Sequence, residues 1–83
     1  LEDLSYQFGL FPNPNNGAFT VVNSNQLSGN LEIFNSLGKL IRSRAIQGES
    51  NLDIDLGSVD TGVYFVRVTT DTGVWNTRVV INQ

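Results

Sequence analysis

Leu52, Ile54 and Leu56 alternate with Asp53 and Asp55. A period of two puts three apolar side chains on one side of an extended chain and both carboxylates on the other. The same period runs through Leu4, Tyr6, Phe8 and Leu10, through Phe19 and Val21 within residues 18–22, and through Leu31 and Ile33, with Phe34 turned the other way. No stretch sustains the three-and-four spacing of an amphipathic helix. A chain patterned in this way has to bury its apolar rows between sheets.

The punctuation supports that reading. Pro12 and Pro14 stop a ladder because neither offers an N–H, and Asn16-Gly17 marks a tight turn. Residues 23–29 read as a polar loop anchored by Leu27. Residues 35–39 form a hairpin connection, with Gly38 suited to a left-handed position. Residues 40–46 are weakly patterned and carry Arg42 and Arg44, which predicts a solvated edge strand. A loop around Gly48 and a connection over residues 57–62 flank the Leu52–Leu56 strand. Residues 63–69 are apolar on both sides, Tyr64, Val66 and Val68 against Val63 and Phe65, which predicts a central strand. Residues 70–73 turn the chain and residues 74–81 return beside it. The expectation is an all-β chain: a seven-stranded, immunoglobulin-like antiparallel β-sandwich. At 83 residues it makes one domain, over 1–83, with no internal repeat.

The inventory argues against catalysis. Cysteine and histidine are both absent, which removes thiolate and imidazole chemistry, disulfides and the commonest metal ligands. A serine or threonine nucleophile would then need an unusual base, and Lys39 on a hairpin is a poor one. The glycines punctuate turns and nowhere cluster into a phosphate cradle. Asp53 and Asp55 share a side and are compatible with acid–base work or a calcium site, but charges opposite a buried apolar row are more simply a solvated face. The expectation is no enzyme activity, no cofactor and no metal.

The formal net charge is −3, and the five cations Lys39, Arg42, Arg44, Arg67 and Arg78 are scattered. Nucleic acid is therefore not an expected partner, since phosphate binding needs a dense basic face. No apolar run reaches the ~20 residues of a membrane-spanning helix. Trp75 and Tyr64 are the residues a carbohydrate-binding module would use for stacking on sugar rings. For Tyr64 the simpler reading is a tyrosine corner just after Gly62, its hydroxyl bonded back to the chain. Trp75 fits either the core or an exposed face.

Three segments and a closing one carry a resemblance. Phe11-Pro12-Asn13-Pro14 is followed by Asn15-Asn16-Gly17 and an apolar strand. The strand Leu31-Glu32-Ile33-Phe34 ends in Asn35-Ser36-Leu37-Gly38-Lys39. Gly62-Val63-Tyr64-Phe65-Val66-Arg67-Val68 leads to Arg78-Val79-Val80-Ile81. In register these resemble the C-terminal sorting domain of the type IX, or Por, secretion system of Bacteroidetes. The family's usual Tyr is here Phe11 and its usual terminal Lys is Arg78, a change that is not neutral where geometry matters.

The resemblance implies a function of address. Residues 1–83 would be a fragment of a larger secreted protein, joined to an N-terminal cargo domain. They would be recognised by the outer-membrane translocon and removed by a sortase-like cysteine protease, with possible attachment of the cargo to the surface. The cargo would be secreted or held at the cell surface, by way of the periplasm. The recognition residues implied are Phe11, Pro12, Asn13, Pro14, Gly38, Lys39, Gly62, Tyr64, Arg78, Val79, Val80 and Ile81. The terminal strand would offer an edge to a receptor strand. The alternative is an immunoglobulin-like accessory module for adhesion or carbohydrate binding on an extracellular protein.

Overall fold

Two β-sheets face each other across a layer of aliphatic and aromatic side chains in the computed structural model, which describes residues 2–3 and 7–83, with side chains for 7–83. The strands are β1 (Glu2–Asp3), β2 (Phe8–Phe11), β3 (Ala18–Asn23), β4 (Ser28–Asn35), β5 (Leu40–Gln47), β6 (Asn51–Asp55), β7 (Gly62–Thr70) and β8 (Gly73–Ile81). The larger sheet has the order β1-β8-β7-β4-β5 and the smaller β2-β3-β6. Every named pairing is antiparallel except that of β1, which runs parallel to the start of β8. The seven expected strands are β2 to β8, and β1 is too short for alternation to reveal. Leu4 and Tyr6 of the first alternating run lie outside the described residues.

The alternating rows become the core. Leu31, Ile33, Val66, Val68, Val79 and Ile81 from the larger sheet meet Phe8, Phe19, Val21, Leu52 and Ile54 from the smaller. Each such burial contributes roughly 1.5–3 kcal/mol relative to exposure. β4 begins earlier than the expected loop allowed. Gly29 pairs with both Ile46 and Thr70, and a Cβ there would lie 2.0 Å from the Thr69 carbonyl oxygen. That glycine is where three backbones come together, so it belongs to the sheet and not to the loop.

Two strands depart instructively from a simple inside–outside reading. β7 is central, between β4 and β8, but its second apolar side is not covered: Phe65 remains 43% exposed. β5 is the edge strand expected. Its Arg42 and Arg44 lie opposite Ile33 and Leu31 and so lean toward the other sheet. Their guanidinium groups donate to the Asp55 and Asp53 carbonyls of β6 at 3.3 and 3.4 Å. Inward-leaning charge on an edge strand guards it against pairing with another chain.

Candidate functional site

β2, β4, β6 and β8 all end at the same pole of the sandwich, where β3, β5 and β7 begin. Loops 12–17, 36–39 and 56–61 gather there with residues 82–83. The register brings the distant motifs together: Tyr64 lies opposite both Asn35 and Val79, Val63 opposite Val80, and Gly62 opposite Ile81. All twelve residues singled out in the sequence therefore lie toward one end of the molecule.

The Pro-Asn-Pro-Asn segment runs beside the outer edge of β8. Asn13 Nδ2 donates to the Arg78 carbonyl, and the Val80 N–H donates to Asn13 Oδ1, both at 3.0 Å. A side-chain amide carries the same donor and acceptor as a peptide group, so Asn13 pairs with β8 as a strand residue would. Asn15 continues the pairing with its backbone: its N–H donates to Val80 and its carbonyl accepts from Asn82, at 3.0 and 2.8 Å. Pro12 and Pro14 occupy the alternate positions, where no N–H is required. With β1 at Gly73 and Val74, both ends of the outer edge of β8 are occupied. The edge expected to be open to a receptor strand is therefore covered at both ends, because unpaired N–H and C=O groups are satisfied within the chain.

The segment is itself pinned. The Asn15 side chain, almost wholly buried, donates to the Pro12 carbonyl at 2.9 Å and accepts from the Gly17 N–H at 2.8 Å. Gly17 has φ +110°, and a Cβ there would lie 3.1 Å from both Gln83 Nε2 and the Gly57 carbonyl. Gln83 Nε2 donates to that same carbonyl at 2.8 Å, and its backbone N–H donates to Thr61 Oγ1 at 2.9 Å. Asn15 belongs to the first resembling segment but not to the twelve recognition residues, and Thr61 and Gln83 were in neither. The one available signal was Asn15 two places before Gly17, the spacing of an Asx turn.

The twelve residues divide by depth. Tyr64, Val79 and Ile81 are buried, and Gly62 and Val80 are half-buried. Phe11, Pro12, Asn13, Pro14, Gly38, Lys39 and Arg78 are exposed. The Tyr64 hydroxyl donates to the Asp60 carbonyl, closing the corner ahead of β7. Trp75 is also buried and stacks on Phe8 with ring centres 5.5 Å apart. Neither ring is available for sugar stacking. Asp53 and Asp55 are exposed and engaged locally, accepting from Thr20 Oγ1 and the Gly57 N–H at 2.8 and 2.9 Å. Among the described residues no helix is long and apolar enough to cross a membrane.

A family model described as the secretion system C-terminal sorting domain matches residues 9–82. Ulvan lyase NLR42 of Nonlabens ulvanivorans is 34% identical over 76 residues, which cover 89% of this chain and 14% of the lyase. The chain thus corresponds to a small part of the length of that relative.

Proposed function

The chain belongs to the type IX secretion C-terminal sorting domains, and from that membership we propose that its motif-bearing pole is the face read by the export machinery. The family places its cargo on the route to the cell surface or the extracellular space. The observation that carries the finer reading is the division of the motif by depth. Tyr64, Val79 and Ile81 lie inside, while Phe11, Pro12, Asn13, Pro14, Gly38, Lys39 and Arg78 are presented on the surface of the same end. The buried members hold the scaffold and the exposed members are what a translocon touches.

Residues 1–83 act as one sorting domain behind an N-terminal cargo domain. The likeness to an ulvan lyase supports a secreted enzyme as that cargo. Removal by a sortase-like protease, followed by attachment of the cargo at the surface, belongs to the same proposal. The strand order supports an immunoglobulin-like lineage: β2-β3-β6 and β8-β7-β4 correspond to the A-B-E and G-F-C sheets of that fold, with β5 paired to β4 instead of β6. A free β8 edge is not the means of recognition, since an added strand would first have to displace residues 13–15.

The test is a fusion of this chain to a periplasmic reporter in a host with type IX machinery. The reporter is expected outside the cell. A short polar tail added after Gln83, with the fold intact by circular dichroism, is expected to hold it in the periplasm. Retention of the untailed fusion would refute the sorting role.

A further inference from the structure

Among the described residues no element covers the outer face of the larger sheet, and toward the motif pole that face is apolar. Cross-strand register sets Leu40 opposite Phe34, Phe34 opposite Phe65, and Val63 opposite Val80 in the adjoining row. Leu37, in the hairpin beside this row, is 90% exposed, and Leu40 is 45% exposed. A shallow depression on the same face is lined by Phe34, Gly38, Phe65, Arg67 and Asn76. The Arg67 guanidinium lies 4.9 Å from the Phe34 ring centre and 3.2 Å from the Glu32 carboxylate, so the aromatic surface is held in place from one side. These side chains, like the inward-leaning Arg42 and Arg44 of β5, depart from the apolar-inside, polar-outside alternation of the other strands. A contiguous apolar surface rimmed by polar groups marks an interaction site.

The charge around it is as uneven as the polarity. Of five cations in a chain of net charge −3, Arg67 lines the depression, Arg78 lies opposite Phe65, and Lys39 sits between Gly38 and Leu40 in the adjoining hairpin. Glu32 is the one carboxylate among the described outer positions of β4, β7 and β8. An aromatic and aliphatic centre with Arg beside it and a polar rim is the anatomy of a protein–protein interface. The net negative charge of the chain opposes adsorption to an anionic lipid surface, where each nearby cation contributes only about 1 kcal/mol. A protein whose carboxylates are confined to a local cluster meets less long-range repulsion than a uniformly anionic surface and gains from Lys39 and Arg78 at short range, Arg67 being already paired with Glu32.

We propose that this face is a docking surface for a partner protein that presents an apolar ridge bordered by carboxylates. The proposal deepens the sorting-domain reading, since such a partner would be met during export. It identifies a surface distinct from the pairing of residues 13–15 with β8.

Two measurements test it. In the first, amide chemical shifts of the chain are followed on adding a designed peptide of alternating Leu and Glu, its Lys-for-Glu counterpart, or phosphatidylglycerol vesicles. The acidic peptide is expected to move the amides of Phe34, Leu37, Leu40 and Phe65, and to bind about tenfold more tightly than the basic one. Its affinity is expected to fall in a Lys39→Glu, Arg78→Glu double variant. Shifts confined to another surface, equal binding of both peptides, or response to the vesicles alone would overturn the proposal. In the second, the reporter fusion carries Leu37→Ser with Phe65→Thr, both at exposed positions. Export is expected to fall about tenfold with the melting temperature unchanged, as loss of interface anchors weakens binding. Full export of this variant beside full export of the parent would overturn the docking surface alone. Retention of the parent fusion would instead refute the sorting role, and the peptide measurement then decides the surface by itself.

Discussion

The two poles of the sandwich seal their loops by the same device and finish them differently. At the pole formed by loops 24–27, 48–50 and 71–72, Asn23 is fully buried. It donates to the Leu27 and Glu49 carbonyls at 2.9 Å and accepts the Leu27 N–H at 3.0 Å. Ser24, Asn25, Gln26, Asp71 and Thr72 turn polar groups to solvent, and Leu27 is tucked against the core. At the motif pole Asn15 plays the corresponding part, yet Phe11, Leu37 and Leu40 stay exposed around it. Among the described residues, loops 24–27, 48–50 and 71–72 leave no large apolar side chain exposed at that pole. The apolar side chains left in water at the motif pole, beside an equally well-bonded loop, fit the docking surface proposed above.

Substitutions separate stability from use at the two poles. The largest effect is expected at the motif pole itself, from Tyr64→Ala. Removing a buried aromatic and its bond to Asp60 should cost about 3–5 kcal/mol by chemical denaturation. Tyr64→Phe, which keeps the ring, should cost only about 1 kcal/mol. If both variants melt like the parent, the ring is not a structural corner and its place in the motif has another cause.

Asn23→Ala comes next, at the opposite pole. It leaves three backbone groups of loops 24–27 and 48–50 without their partner, for an expected loss of about 2–3 kcal/mol. The folded fraction should be exported as well as the parent. Export that fails while the protein remains folded would make this pole functional too, and the contrast between the ends would collapse.

Asn13→Ala is the converse case. Its two bonds to β8 are solvent-accessible, so the stability cost should be near 1 kcal/mol. Hydrogen exchange at the Val80 amide, which has lost its acceptor, should accelerate more than at the amides of β7. Unchanged exchange at Val80 would mean that residues 13–15 do not hold the outer edge of β8.

The smallest effect concerns Glu49. Its own backbone N–H and that of Gln47 bond to its carboxylate and hold its pKa below the usual glutamate value, with the Arg44 guanidinium acting in the same direction. A carboxyl whose pKa is lowered on folding adds stability above its unfolded-state pKa and loses it as the pH falls through the folded value. The stability difference between the parent and Glu49→Gln should therefore be small at neutral pH, because the group is exposed. It should vanish in acid below the ordinary glutamate range. A difference that persists there would assign the effect to loop packing instead of charge.

Much of the architecture follows from local pattern. Leu52, Ile54 and Leu56 against Asp53 and Asp55, the hairpin closed at Gly38, and Tyr64 two places after Gly62 are short-range features. Period and turn chemistry are set by neighbours in the chain, so they can be read without coordinates. Three outcomes lie beyond such reading. Trp75 and Val74 are equally good candidates for the inside by periodicity, and packing on Phe8 selects Trp75. Phe34 and Phe65 look as apolar as any core residue, yet among the described residues no layer lies over the outer face of the larger sheet, so Phe65 is exposed and Phe34 only half-buried. Asn13 meets Arg78 and Val80 across 65 and 67 residues of chain, a match between a side-chain amide and a strand edge with no local signature. The physical reason is common to all three. Alternation assigns a side chain to one face of its strand, whereas what covers that face, or fills that edge, depends on segments distant in sequence whose position is decided when the sheets pack.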